Sequence, residues 1–219
     1  LVVLGGDGTI STAAEHGAMD GPALIPLPGG TMNLLPRALY GERSWEDALK
    51  ATLAAPTLRT VSGGRAGTER FFVAAIFGSP VLWARAREAF RKGEFRKMLY
   101  AARHAFARLF SAKIGYAFNE MHKGRAEAVA VTCPLVATTL DDDRKALEAA
   151  VIDVSTPGDI IELAGAAALS GWRESKNVAV VVTKSVKLVS RSPIPFAVDG
   201  ELVRGGTSLE VEFVPESFR

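Results

Sequence analysis

The 219-residue sequence contains one cysteine, Cys133. No internal disulfide can form, and a lone thiol suits a reducing compartment, so a cytoplasmic location is expected, with Cys133 in the core. An excess of either charge is also missing, since 26 Lys and Arg against 24 Asp and Glu leave a formal net charge of +2. With no zinc-ligand spacing, basic tail or aromatic-basic RNA motif beside it, that balance gives no reason to expect a nucleic-acid partner. No apolar run approaches the roughly 18 residues a spanning helix needs, so any membrane contact is expected to be peripheral, at the inner face. The 48% apolar content is ordinary for a globular chain.

Four apolar β-formers, Leu1-Val2-Val3-Leu4, run directly into Gly5-Gly6-Asp7-Gly8-Thr9, and the residues after Thr9 suit a helix over 11–19. Strand, glycine turn and helix form an anion-binding geometry. Glycines let the backbone approach a phosphate and adopt positive φ, and the helix start aims N–H groups and its dipole at the anion. Asp7 would repel that anion unless it binds Mg²⁺ or accepts a proton from an attacking hydroxyl. A second short strand, 23–27, ends in Pro28-Gly29-Gly30-Thr31, with a helix over 32–39 behind it. In a parallel α/β unit both turns emerge at the same carboxyl edge, where ligands of such sheets bind. Thr31 and Asn33 are candidates either for nucleotide contacts or for helix capping. A parallel strand needs neighbours on both sides, and the chain opens at Leu1 within one, so a preceding N-terminal portion is expected.

Residues 44–54 read as an amphipathic helix with Ser44 as its N-cap and Asp47 three positions on. From residue 57 the pattern changes to strands: 57–61, a turn at Ser62-Gly63-Gly64, then 70–76, 113–118, 126–133, 149–154, 177–182, 185–190 and 209–214. This predicts an α/β domain over 1–56 and a larger β-sandwich over 57–219, with helices inserted over 81–110 and 160–169. The helix over 81–110 opens a basic stretch that runs on to Arg125, which fits either a surface for anionic lipid or a solvated helix face. Asp141-Asp142-Asp143 could hold a hard cation or simply be hydrated. Asp199-Gly200-Glu201 puts two carboxylates about one glycine, in a pattern that also suits a hairpin turn.

Leu4-Gly5-Gly6-Asp7-Gly8-Thr9, Pro28-Gly29-Gly30-Thr31-Met32-Asn33 with Pro36-Arg37, and Asp199-Gly200-Glu201 resemble, in order and spacing, the signatures of the diacylglycerol kinase catalytic-domain family, which includes bacterial lipid kinases and sphingosine kinases. The resemblance implies an α/β nucleotide domain, truncated here at its N-terminus, and a larger β-sandwich, with ATP and a lipid alcohol meeting in the cleft between them. It implies a nucleotide phosphate loop formed by Gly5, Gly6, Asp7, Gly8, Thr9 and Ser11, flanked by Gly30, Thr31 and Asn33. Asp7 would engage Mg²⁺ and the phosphates, and Asp199 or Glu201 would be the general base. A structural metal would fall to Asp142 and Asp143. The reaction implied is transfer of the ATP γ-phosphoryl group to diacylglycerol or a related lipid, with this stretch alone expected to be inactive.

Two alternatives stay open. NAD kinases share the Gly-Gly-Asp-Gly-Thr turn, and Asn119-Glu120 matches that family's Asn-Glu pair superficially. A nucleotide- or lipid-binding module with impaired catalysis is the other, because Leu34 follows Asn33 where the lipid kinases often carry Asp, and Arg144 follows the acidic cluster. Oligomeric state is left open.

Overall fold

A computed structural model of the chain describes residues 1–17, 20–81, 113–137, 139–140, 145–153, 173 and 175–219. The acidic cluster at 141–143, the helix expected over 160–169 and all but the first residue of that over 81–110 lie outside the described residues.

The chain opens with β1 (Val2–Gly5), α1 (Asp7–Gly17) and β2 (Ile25–Pro28), the two strands pairing in parallel with Val2 opposite Ile25 and Gly5 opposite Pro28. Two helices follow, α2 (Leu34–Tyr40) and α3 (Trp45–Ala54). The start of α3 is the one expected: Ser44 Oγ accepts the Asp47 N–H at 3.2 Å, satisfying a donor that the helix itself cannot.

The remaining strands are β3 (Val61–Ala66), β4 (Glu69–Phe71), β5 (Ala74–Gly78), β6 (Ile114–Phe118), β7 (His122–Ala126), β8 (Ala128–Thr132), β9 (Leu147–Ile152), β10 (Val178–Thr183), β11 (Ser185–Val189), β12 (Pro195–Val198), β13 (Glu201–Arg204) and β14 (Ser208–Phe218). They form two antiparallel six-stranded sheets, ordered β10-β9-β8-β5-β12-β13 and β4-β3-β14-β11-β6-β7. Alternate residues of both sheets meet in one core. Phe77, Val129, Val131, Ala149 and Phe196 from the first pack with Phe71, Phe118, Val186, Leu188 and Val211 from the second, the arrangement of a sandwich. Cys133 lies in this core, its Sγ donating to the Phe71 carbonyl at 3.5 Å. Burial, with Asp199 adding to it, pushes the thiol well up, so Cys133 is an unreactive core residue.

Three strand expectations are corrected, the first at 57–61, where the strand begins only at Val61. Ser62, Gly63 and Gly64 lie within β3 rather than in a turn, because the Phe71 ring occupies the space a Gly64 side chain would need. The strand read over 70–76 is two strands, broken at Phe72 and Val73, whose N–H groups leave the ladder for a carboxylate. The polar strand β7 was not anticipated: it is an edge strand whose Lys123 and Arg125 face outward, and it lacks the apolar alternation that marks a buried strand.

The last strand returns to the α/β unit. Phe218 meets Phe72 edge to face at 5.1 Å, and both join Ile10, Ala14, Leu35, Val61 and Val73 in a second core. The Leu24 N–H donates to the Arg219 carbonyl at 2.7 Å. No helix among the described residues is long and apolar enough to cross a membrane.

Glu148, 1% exposed on β9, is one of two buried carboxylates of the sandwich among the described residues, with Glu127 at 3%. The Glu148 Oε1 accepts from Arg173 Nε at 2.9 Å and Thr132 Oγ1 at 3.2 Å, and its Oε2 from Thr139 N at 2.9 Å and Oγ1 at 2.6 Å. Burial pushes the carboxyl up, but the Thr139 and Arg173 hydrogen bonds outweigh it and hold it below its ordinary value. A carboxylate depressed by folding stabilises above its unfolded pKa and loses that contribution as pH falls through the folded value. The melting temperature is therefore expected to fall below about pH 4. Glu148→Ala, measured by denaturant melts at pH 7, should cost about 3 kcal/mol or more.

Candidate active site

The Gly5-Gly6 turn is tight enough that α1 begins at Asp7 with only Gly6 between it and β1. The first helical hydrogen bond runs from Ile10 N to the Gly6 carbonyl at 3.1 Å, so the N–H groups of Asp7, Gly8 and Thr9 precede the helix ladder and face outward from its start. The second turn packs against the first. Gly29 N donates to the Gly5 carbonyl at 2.9 Å, a Cβ on Gly29 would lie 2.8 Å from Gly5 N, and one on Gly30 would lie 2.5 Å from Gly6 Cα. None of Gly5, Gly6, Gly8, Gly29 or Gly30 is among the glycines with positive φ. Gly29 and Gly30 are required because two backbones touch, not because the chain turns left-handed.

Asp7 spans the two turns. Its Oδ2 accepts from Leu34 N at 3.1 Å and its Oδ1 from Leu35 N at 3.0 Å, so it caps α2 from the first turn of α1. Asn33, at the α2 N-cap position with φ 50°, closes its own loop: the side chain accepts from Gly30 N at 2.7 Å and donates to the Gly30 carbonyl at 2.8 Å. Thr9 and Thr31 are exposed.

The acidic motif arrives from the sandwich. Asp199 and Gly200, with φ 46° and 89°, form the two-residue turn joining β12 and β13, and Val198 pairs with Glu201. Asp-Gly is thus a hairpin turn and also faces the glycine turns. The Asp199 Oδ1 accepts from Val73 N at 3.0 Å and Ala74 N at 2.9 Å, and its Oδ2 from Phe72 N at 2.9 Å and from the Ser11 hydroxyl. Four donors occupy all the lone-pair positions of a carboxylate. Burial raises its pKa above the ordinary value, opposed by the hydrogen bonds from Ser11 and the amides of Phe72, Ala74 and Val73. Glu201 is exposed, and its Oε1 stands 3.3 Å from where a Cβ on Gly8 would be.

Residues 1–66 match the diacylglycerol kinase catalytic domain. A Bacillus anthracis structure described as a diacylglycerol kinase superposes with a TM-score of 0.71 at 18% identity, covering 98% of this chain and 75% of that one. A second from the same organism gives 0.65 at 15%, covering 98% and 73%. An NAD kinase from Archaeoglobus fulgidus in complex with ATP gives 0.57 at 12%, covering 99% and 76%. At these identities the likeness establishes the fold, an α/β unit followed by a β-sandwich.

Within the diacylglycerol kinase match lie both glycine turns and Asp7, Ser11 and Asn33; Asp199 and Glu201 reach them from beyond its end. Asp142 and Asp143 lie outside the described residues. No group of three or more His, Cys, Asp or Glu side chains able to hold a metal occurs among the described residues. Both Asp7 oxygens already accept from α2 and Asp199 is fully engaged, so the described residues form no protein-only cage here. A cation that keeps its waters and arrives on phosphates needs no more than one or two carboxylates. A cavity of 610 Å³, lined by Leu24, Leu39, Tyr40, Leu58 and Phe218 among others, opens at the other end of β2 and includes none of these residues.

The sequence offered no sign of the Phe72–Ala74 amides, because backbone donors leave no residue-type signature. Ser11, expected on phosphate, gives its proton to Asp199 instead. Gly30→Ala should force the two turns apart, costing about 1–3 kcal/mol, which denaturant melts of the variant check.

Proposed function

We propose that the protein is an ATP-dependent lipid kinase that transfers the γ-phosphoryl group to the hydroxyl of diacylglycerol or a related lipid alcohol. The observation that carries this reading is the exposed Glu201 carboxylate held above Gly8, at the start of a helix whose free amides suit an anion. In this reading the N–H groups of Gly6, Asp7, Gly8 and Thr9 hold the triphosphate, with Gly30 and Thr31 on its other side. Glu201 is the general base and Asp199, with no lone pair to spare, positions it. The lipid oxygen attacks the γ-phosphorus as Glu201 takes its proton, the bond from the γ-phosphorus to the bridging oxygen breaks, and ADP leaves with the electron pair. A Mg²⁺ ion arriving with ATP would supply charge neutralisation, and Asp7, which keeps lone pairs while it caps α2, would hold it through water. The reaction would take place at a membrane surface reached from the cytoplasm.

The NAD kinase alternative shares the fold, with TM-scores of 0.57 and 0.56 for two such enzymes. The Asn119 side chain, however, is held in a turn, its Oδ1 accepting from Thr183 Oγ1 at 2.9 Å, Lys184 N at 3.1 Å and Ser185 N at 3.3 Å. That leaves the lipid alcohol as the better acceptor.

Radiolabelled ATP offered to the full-length protein with diacylglycerol, other lipid alcohols and NAD decides among the readings. Label is expected in a lipid. Label in NAD alone would overturn the proposal, and ATP binding without transfer to any acceptor would favour the impaired module. Glu201→Gln should lower kcat about 10²–10⁴-fold while nucleotide still binds. Asp199→Asn should lose stability as well as turnover, because the amide sets an N–H against backbone donors, at about 1–3 kcal/mol. Full activity in Glu201→Gln would remove Glu201 as the base.

A further inference from the structure

We propose that Ser11 is a positioning residue for this transfer, setting the Glu201 carboxylate against the phosphate turn through Asp199. The proposal rests on the lipid kinase reading above. Ser11 lies in the second turn of α1, is 7% exposed, and donates its hydroxyl proton to Asp199 Oδ2. A hydroxyl has one proton to give, so this one is withheld from a phosphate oxygen. Every other donor to Asp199 is a backbone amide of the break between β4 and β5 or of the first residue of β5. Ser11 is therefore the hydrogen bond that ties the helix behind the phosphate turn to the hairpin bearing the base.

Apolar contact between the same elements persists without it, since Ile10 and Ala14 pack with Phe72 and Val73. Such contact is non-directional and tolerates sliding, whereas a hydrogen bond fixes a distance and an angle. The turn passes that constraint on. Asp199 and Gly200 are held left-handed, and Glu201 pairs with Val198 immediately after them, so a shift of the Asp199 carboxylate moves Glu201 relative to Gly8.

Ser11→Ala should lower kcat about 10- to 100-fold and leave the KM for ATP within about twofold, and Ser11→Thr, which keeps the hydroxyl, should restore most of the turnover. An unchanged kcat, or a loss confined to the KM for ATP, would overturn the proposal, the latter by putting the hydroxyl on phosphate. Amide hydrogen exchange at Phe72, Val73 and Ala74 gives a readout that does not depend on activity. Ser11→Ala should speed it, because the carboxylate those amides share loses its fourth tether, and unchanged exchange would refute the tether. If the wild-type protein phosphorylates no acceptor while exchange responds as expected, the kinase reading fails and the Ser11–Asp199 docking stands.

Discussion

One carboxylate organises the meeting of the two units. Asp199 gathers a hydroxyl from α1 and three consecutive amides from the bend between β4 and β5. Burial works against its charge, and only a full set of donors makes an ionised group there tolerable. The cost is visible in the fold: the Phe72 and Val73 amides leave the strand ladder to supply them. The same bend sends the Phe72 and Val73 side chains into the core shared with Ile10, Ala14 and Phe218. One break in one strand thus provides both the polar and the apolar halves of the junction.

The glycine turns obey a different constraint. Gly29 and Gly30 press on Gly5 and Gly6 at distances that exclude a Cβ, and Asp7 crosses the contact to cap α2. Four residue types usually associated with ligand binding, Gly, Asp, Asn and Thr, therefore split their work. Asp7 and Asn33 hold the backbone in place, which leaves the N–H groups of the turn and the exposed Thr9 and Thr31 to face outward. The Gly29 and Gly30 amides are spent on the Gly5 carbonyl and the Asn33 side chain, so the free donors are those of the first turn, at a helix start that suits an anion.

The first two helices and strands, the capped start of α3 and half of the sandwich strands could be read from periodicity and turn residues. The buried thiol of Cys133 followed from its solitude. Three features could not be read. The break at Phe72 and Val73 is hidden because both residues are good β-formers. The edge strand β7 carries no apolar alternation. Gly63 and Gly64 look like a turn until the Phe71 ring is seen lying across them.

For the candidate site, the sequence alone determined which residues were available: two glycine turns on one edge of a parallel pair, and two carboxylates flanking a distant glycine. These are local patterns, set by which side chains permit tight turns and close approach. Only the tertiary structure decided how the carboxylates divide. Asp199 is surrounded by donors from elements more than 120 residues earlier in the chain, while Glu201, two positions on, stays exposed above Gly8. A carboxylate's role depends on what surrounds it in space, and residues so far apart along the chain become neighbours only when the sandwich closes against α1.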